Sequence, residues 1–177
     1  MSNGRFAVLA TTAFALVLGG CGGGSSDGPS FACPPALTVQ DAGRIVHFKD
    51  GTGRDPRDVA YEAALVSAGS ACSVGRNQVD VTVVMVVAVK AGPSVSSGQT
   101  GVPYFVRVLD GRGTILQGQD FVAEFRLSAS SPRGESREEL ALTLPISQAG
   151  ASSGYRIAVG LRPSPEELNY NRREAGR

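Results

Sequence analysis

From Arg44 onward, apolar residues recur at every second position, the period of strands that bury one face. Arg44–Phe48 is a short first candidate. Val59–Val66 places Val59, Tyr61, Ala63 and Leu65 on one face and Glu62 on the other, and it runs on toward Cys72. The strongest pattern is Val79–Val89, where Val79, Val81, Val83, Met85, Val87 and Val89 share a face. The opposite face begins polar at Asp80 and Thr82 and becomes apolar at Val84, Val86 and Ala88, which predicts a central strand covered on both sides in its second half. Val102–Leu109 is a fourth strand. A fifth returns from Thr114 and alternates clearly at Phe121, Ala123, Phe125 and Leu127, with Gly118 as a candidate bulge or break. Leu140, Leu142 and Leu144 mark a sixth strand, and Tyr155, Ile157, Val159 and Leu161 a seventh.

Between the strands, Asp110-Gly111-Arg112-Gly113 reads as a tight hairpin whose glycines supply positive φ. Residues 128–137 read as an exposed loop. Seven strands at this spacing predict an all-β fold, a single two-sheet sandwich of the immunoglobulin or fibronectin type III class. After it, Ser164-Pro165-Glu166-Glu167 offers a capping serine, proline at the first helical position and glutamate three residues past the cap. A short helix to about Arg172 follows, docked through Leu168. The predicted domain therefore spans residues 33–163, with a helix and tail over 164–177.

The start of the chain has another character. Arg5 precedes an apolar run from Phe6 to Leu18, broken only by two threonines, and the small residues Gly19 and Gly20 then lead to Cys21. This is the layout of a secretory signal over residues 1–20. As a helix the run would rise only about 20 Å, short of the roughly 30 Å hydrocarbon core, so it does not read as a membrane span. Residues 21–32 form a linker, and the Gly/Ser-rich part from Gly22 to Ser30 has a reach of about 15 to 18 Å.

Composition narrows the function classes. The chain has 177 residues, no Trp and 23 Gly, which favours a small β fold rich in turns. It carries 17 Lys and Arg against 16 Asp and Glu, and loss of Arg5 with the signal leaves the remainder formally neutral. A neutral chain without a basic block lacks the field that nucleic acid requires, so no nucleic-acid partner is expected.

Candidate chemistry is sparse. His47 is the only histidine, so any Ser/His/Asp or Cys/His constellation must use it, and its place in a short strand reads as a surface histidine. Gly92-Pro93-Ser94-Val95-Ser96 lacks the second glycine of a nucleophile elbow and reads as a connector. The acidic turn Asp50–Asp58 has Thr52 and Arg54 where a calcium loop needs oxygen ligands, and its arginines compete for the carboxylates. Arg133, Glu135, Arg137, Glu138 and Glu139 form a mixed-sign cluster, either a solvated edge or a protein contact. Tyr104 and Phe105 fall on opposite faces of a strand, one core and one outward. No catalytic or metal-binding set is assigned, and no cofactor is expected.

Leu18-Gly19-Gly20-Cys21 resembles the lipobox of bacterial lipoproteins, in which the cysteine is lipidated and becomes the first mature residue. If Cys21 carries lipid, Cys33 and Cys72 remain as an even pair in an exported protein. A disulfide is then the expected state, with two free thiols as the alternative. By the same resemblance Gly22, in place of aspartate, implies transfer to the outer membrane, facing the periplasm. Cys33-Pro34-Pro35, Val102-Pro103-Tyr104-Phe105 and the segment Ser164–Arg173 resemble uncharacterised envelope lipoproteins of alphaproteobacteria, a resemblance that implies no activity.

The sequence thus predicts a lipid-anchored, non-enzymatic envelope lipoprotein presenting a surface to another protein or the cell wall. The alternative is an accessory module for a small molecule, glycan or transport substrate. An open sheet edge or exposed apolar patch favours the first, and a concave pocket with converging polar groups the second. His47 beside a carboxylate and a hydroxyl in a cleft would favour an enzyme.

Overall fold

Alternation of the kind seen from Val79 to Val89 organises nearly every element of the structure, a computed structural model that describes residues 32–49, 55–146 and 154–175. The strands are β1 (Ala36–Thr38), β2 (Arg44–Phe48), β3 (Val59–Val74), β4 (Gln78–Ala91), β5 (Gly98–Leu109), β6 (Ile115–Leu127), β7 (Arg133–Pro145) and β8 (Arg156–Leu161), and helix α1 (Pro165–Ala175) follows. They form two four-stranded sheets, ordered β1-β8-β5-β6 and β2-β3-β4-β7. The two-sheet sandwich expected from the sequence is therefore present, with eight strands among the described residues in place of seven.

Consecutive strands β4 and β5 lie in different sheets, as do β7 and β8, yet β4 pairs with β7 and β5 with β8. Immunoglobulin-type sandwiches interlock their B–E and C–F pairs in this way. The other strands depart from that plan. β2, β3 and β4 form an antiparallel meander, and the short β1 runs parallel to β8.

The core lies between the sheets. β4 contributes Val79, Val81, Val83, Met85 and Val87, none more than 1% exposed. Val102, Tyr104, Val106 and Val108 of β5 and Ile157, Val159 and Leu161 of β8 face them from the other sheet. Tyr104 stacks on Phe121 at 5.2 Å, putting aromatic volume where such sandwiches often use tryptophan. On the opposite face of β4, Val84, Val86 and Ala88 are half-buried.

Several expectations are corrected. Residues 128–137 are not all loop, because β7 starts at Arg133 and stays paired with β4 to Pro145. Its first inward position is Gly134, where a side chain would meet Phe125 of β6 at 2.8 Å, so Phe125 fills the space that an apolar residue would take. β3 does run on past Val66 toward Cys72, as expected, and ends at Val74 after a register shift between Leu65 and Ser67. Gly118 makes no bulge. It lies beneath the Arg107 side chain, and the hairpin's irregularity falls between Val108 and Leu109. In that hairpin only Gly113 has positive φ, while Asp110 Oδ1 accepts from the N–H groups of Arg112 and Thr114.

Two devices close the sandwich margins. Cys33, just ahead of β1, is disulfide-bonded to Cys72 of β3, and Ser70 Oγ donates to Pro34 O at 2.6 Å beside it. The link joins the two sheets. At the other end of the chain α1 packs against edge strand β2: Tyr170 meets Phe48 edge-on at 5.0 Å, and Asn171 Nδ2 donates to Arg44 O at 2.7 Å. Arg172 pairs with Asp41 at 2.8 Å. The helix is longer than expected and docks through a different residue. Glu167 is 9% exposed, whereas Leu168 is only half-buried.

Candidate binding surface

Strand register builds a depression on the outer face of the β2-β3-β4-β7 sheet. One row across the strands is Arg44, Ala64, Ala88 and Glu135, and the next is Val46, Glu62, Lys90 and Arg133. The alanines form a low floor and the long charged side chains stand around it. The open depression has a volume of about 540 Å³. Arg44 is held by Glu62 at 2.6 Å. Lys90 and Arg133 stand directly opposite each other in register, an unfavourable like-charge pair, and among the described residues neither makes an ion pair. The site thus offers two uncommitted cations and Glu135 above a small apolar floor, which suits an anionic or zwitterionic group of modest size.

A second cluster gathers at the start of α1. Glu167 Oε1 lies 2.8 Å from His47 Nδ1, and His47 stacks on Tyr61 at 4.7 Å. Glu167 Oε2 accepts from Ser164 N at 2.7 Å while Ser164 Oγ accepts from Glu167 N at 3.2 Å, the reciprocal capping box expected from the sequence. Burial pushes the Glu167 carboxyl up, but the hydrogen bonds from His47 and Ser164 outweigh it and hold the carboxyl below its ordinary value. His47 therefore does meet a carboxylate with a serine nearby, and the contacts among the three fasten the start of α1 onto β2. Ser94 Oγ in the connector after β4 is buried without a hydrogen-bond partner among the described residues.

The outer face of the other sheet carries an ordered ionic group. Asp120 receives Arg107 and Arg162 on its two oxygens, and these pairings hold its carboxyl below the usual range. The Arg107 guanidinium stands 5.1 Å over the outward Phe105 ring, so Tyr104 is the core member of that adjacent pair. On edge strand β6, Ile115, Leu116 and Val122 are each more than half exposed.

Cys33 and Cys72 are brought together as a disulfide, whereas Cys21 and the segment before residue 32 lie outside the described residues. So does the first part of the Asp50–Asp58 turn. Its described end is self-paired, with Arg57 on Asp55 and Lys49 on Asp58, both at 2.8 Å. The mixed-sign cluster divides. Arg133, Glu135, Arg137 and Glu139 point outward from β7, while Glu138 points into the sandwich and accepts from Tyr104 Oη at 2.8 Å. Sequence reading missed the depression because its members come from four strands. No protein-family model, curated protein or solved structure compared with the chain matches it.

Proposed function

We propose that the chain is a lipid-anchored protein of the bacterial envelope, attached through Cys21 and facing the periplasm from the outer membrane, whose sandwich is a non-catalytic interaction module. The apolar run ending in Leu18-Gly19-Gly20-Cys21 supports the anchor. The closed Cys33–Cys72 pair supports an oxidising compartment and leaves Cys21 as the uncommitted cysteine. The observation that carries the interaction reading is edge strand β6, which presents Ile115, Leu116 and Val122 at 59, 53 and 53% exposure.

Fractionation tests the anchor: Cys21→Ser moves the protein from the membrane to the soluble fraction. A variant that stays in the membrane defeats the lipid mechanism. Copurification after lipid-preserving extraction tests the module, with Val122→Glu as the control that loses the partner. Repeated recovery of no partner counts against the reading.

The depression bounded by Arg44, Glu62, Lys90, Arg133 and Glu135 favours a second reading, an accessory module for a small anionic or zwitterionic ligand. Under it, Ala88→Arg fills the floor and abolishes ligand-induced thermal stabilisation while leaving the fold intact.

A further inference from the structure

β7 lies at the edge of its sheet and is 13 residues long. Its backbone bonds to β4 fall on even-numbered positions, as the contacts at its two ends fix: Ala91 N donates to Pro132 O, and Ile146 N donates to Asn77 O. Antiparallel pairing alternates, so the N–H and C=O groups of Arg133, Glu135, Arg137, Glu139, Ala141 and Thr143 point away from β4 toward the open edge. The side chains of the same odd-numbered residues stand on the outer face, where the sequence of charge is plus, minus, plus, minus. None of Arg133, Glu135, Arg137 and Glu139 has an ion pair or side-chain hydrogen bond among the described residues.

We infer that β7 is the contact strand of a two-fold dimer with a second copy of this chain, the two β7 strands pairing antiparallel about Ser136. In that register Arg133 faces Glu139 of the other copy and Glu135 faces Arg137. Symmetry repeats both, so four opposite-charge cross-strand pairs form and every odd-numbered residue meets a partner whose backbone donors and acceptors face it. On the inner face Gly134 sits opposite Glu138, leaving room for that carboxylate, and Ser136 meets its own copy on the axis.

Competing registers are weaker, since moving the two-fold axis by two residues either way keeps only two of the four opposite-charge pairs. Sliding by one residue sets outward backbone groups against inward ones. Shifting the two-fold axis by one residue either way places Glu135 against Glu135 or Arg137 against Arg137. The charges that keep unrelated strands off this edge thus specify one partner. The dimer does not depend on the lipid anchor.

The test uses the full chain carrying Cys21→Ser, studied by sedimentation at low ionic strength. The expected result is a dimer that weakens as salt rises. Arg137→Glu and Glu135→Arg each turn two attractive pairs into repulsive ones and weaken association at least about tenfold, whereas the combined E135R/R137E variant restores it. Register is read by crosslinking. Ser136→Cys gives a covalent dimer on oxidation, because directly opposed residues at a non-hydrogen-bonded site lie about 4.5 Å apart at Cα. Thr143→Cys, far from its own copy, does not. A chain that stays monomeric at about 100 µM overturns the proposal, including one that associates only with a different protein. So does a dimer indifferent to the single reversals or not rescued by the double one.

Discussion

Tyr104 of β5 and Glu138 of β7 belong to opposite sheets, and the tyrosine hydroxyl reaches across the sandwich to donate to Glu138 Oε2 at 2.8 Å. The second carboxylate oxygen is bonded by Ser136 Oγ. A carboxylate on the inner face of a sheet is costly unless its lone pairs are satisfied, and here one bond comes from each sheet. Tyr104→Phe keeps the ring, which is 3% exposed, and removes one donor from a half-buried charge. The expected cost is about 1.5 to 3 kcal/mol, measured by denaturant unfolding. Ser136→Ala in the same background tests whether the two donors act together.

Alkaline stability follows from the buried phenols. Burial pushes Tyr61 up to about 12. Tyr104 is raised still further by burial and by the bond to Glu138. The folded state therefore holds these protons more tightly than the unfolded chain, whose tyrosines titrate near 10. Stability is complete below that value and falls as pH rises through the window from about 10 to the folded values. Tyr61→Phe should lose little at neutral pH, because its bond to Gly101 O is long at 3.4 Å, and it should flatten the decline above pH 10. A urea midpoint series against pH reads both arms.

On the acid side the group to watch is Glu167. Its folded value lies below the ordinary 4.5, so its contribution is present above that value and is lost as pH falls through the folded one. Glu167→Gln should cost about 1 to 2 kcal/mol at pH 7, with a difference from the parent that closes as pH falls through the lowered folded value. His47→Ala removes the partner of the same oxygen. The double variant should cost less than the sum, and strict additivity would dissolve the proposed clasp.

Breaking the Cys33–Cys72 bond opens a loop between residues 39 apart. The chain-entropy account gives about 4 kcal/mol for a loop of that size. Cys33→Ser with Cys72→Ser, or reduction of the parent, should lower the unfolding free energy by an amount of this order. An unchanged midpoint in reductant would show that the bond adds little to the contacts around it.

The strongest readings from sequence came where one residue type repeats one structural signal. Val79–Val89 declares its inner face because every inward position is apolar, and Ser164 to Glu167 declares a helix start because the capping atoms are local. β7 concealed its first half because its inward residues are Gly134, Ser136 and Glu138, whose packing is supplied by Phe125 and Tyr104 from the facing sheet. β1 is only three residues long and is defined by its place beside β8. In α1 the apolar Leu168 was the natural anchor to expect, yet the buried residue is Glu167, because His47 is waiting for it 120 positions away. The depression was equally hidden. Arg44, Glu62, Lys90 and Arg133 become neighbours only through the registers of three separate strand pairs.

Tension applied through the chain ahead of residue 33 enters the fold at Cys33, and the disulfide hands it to β3 before it can reach β1. The load then enters a 16-residue strand paired along most of its length with β4. Reduction reroutes the same pull onto β1, whose parallel pairing with β8 spans three residues. The oxidised molecule bears force through one of its longest interfaces, and the reduced molecule through its shortest.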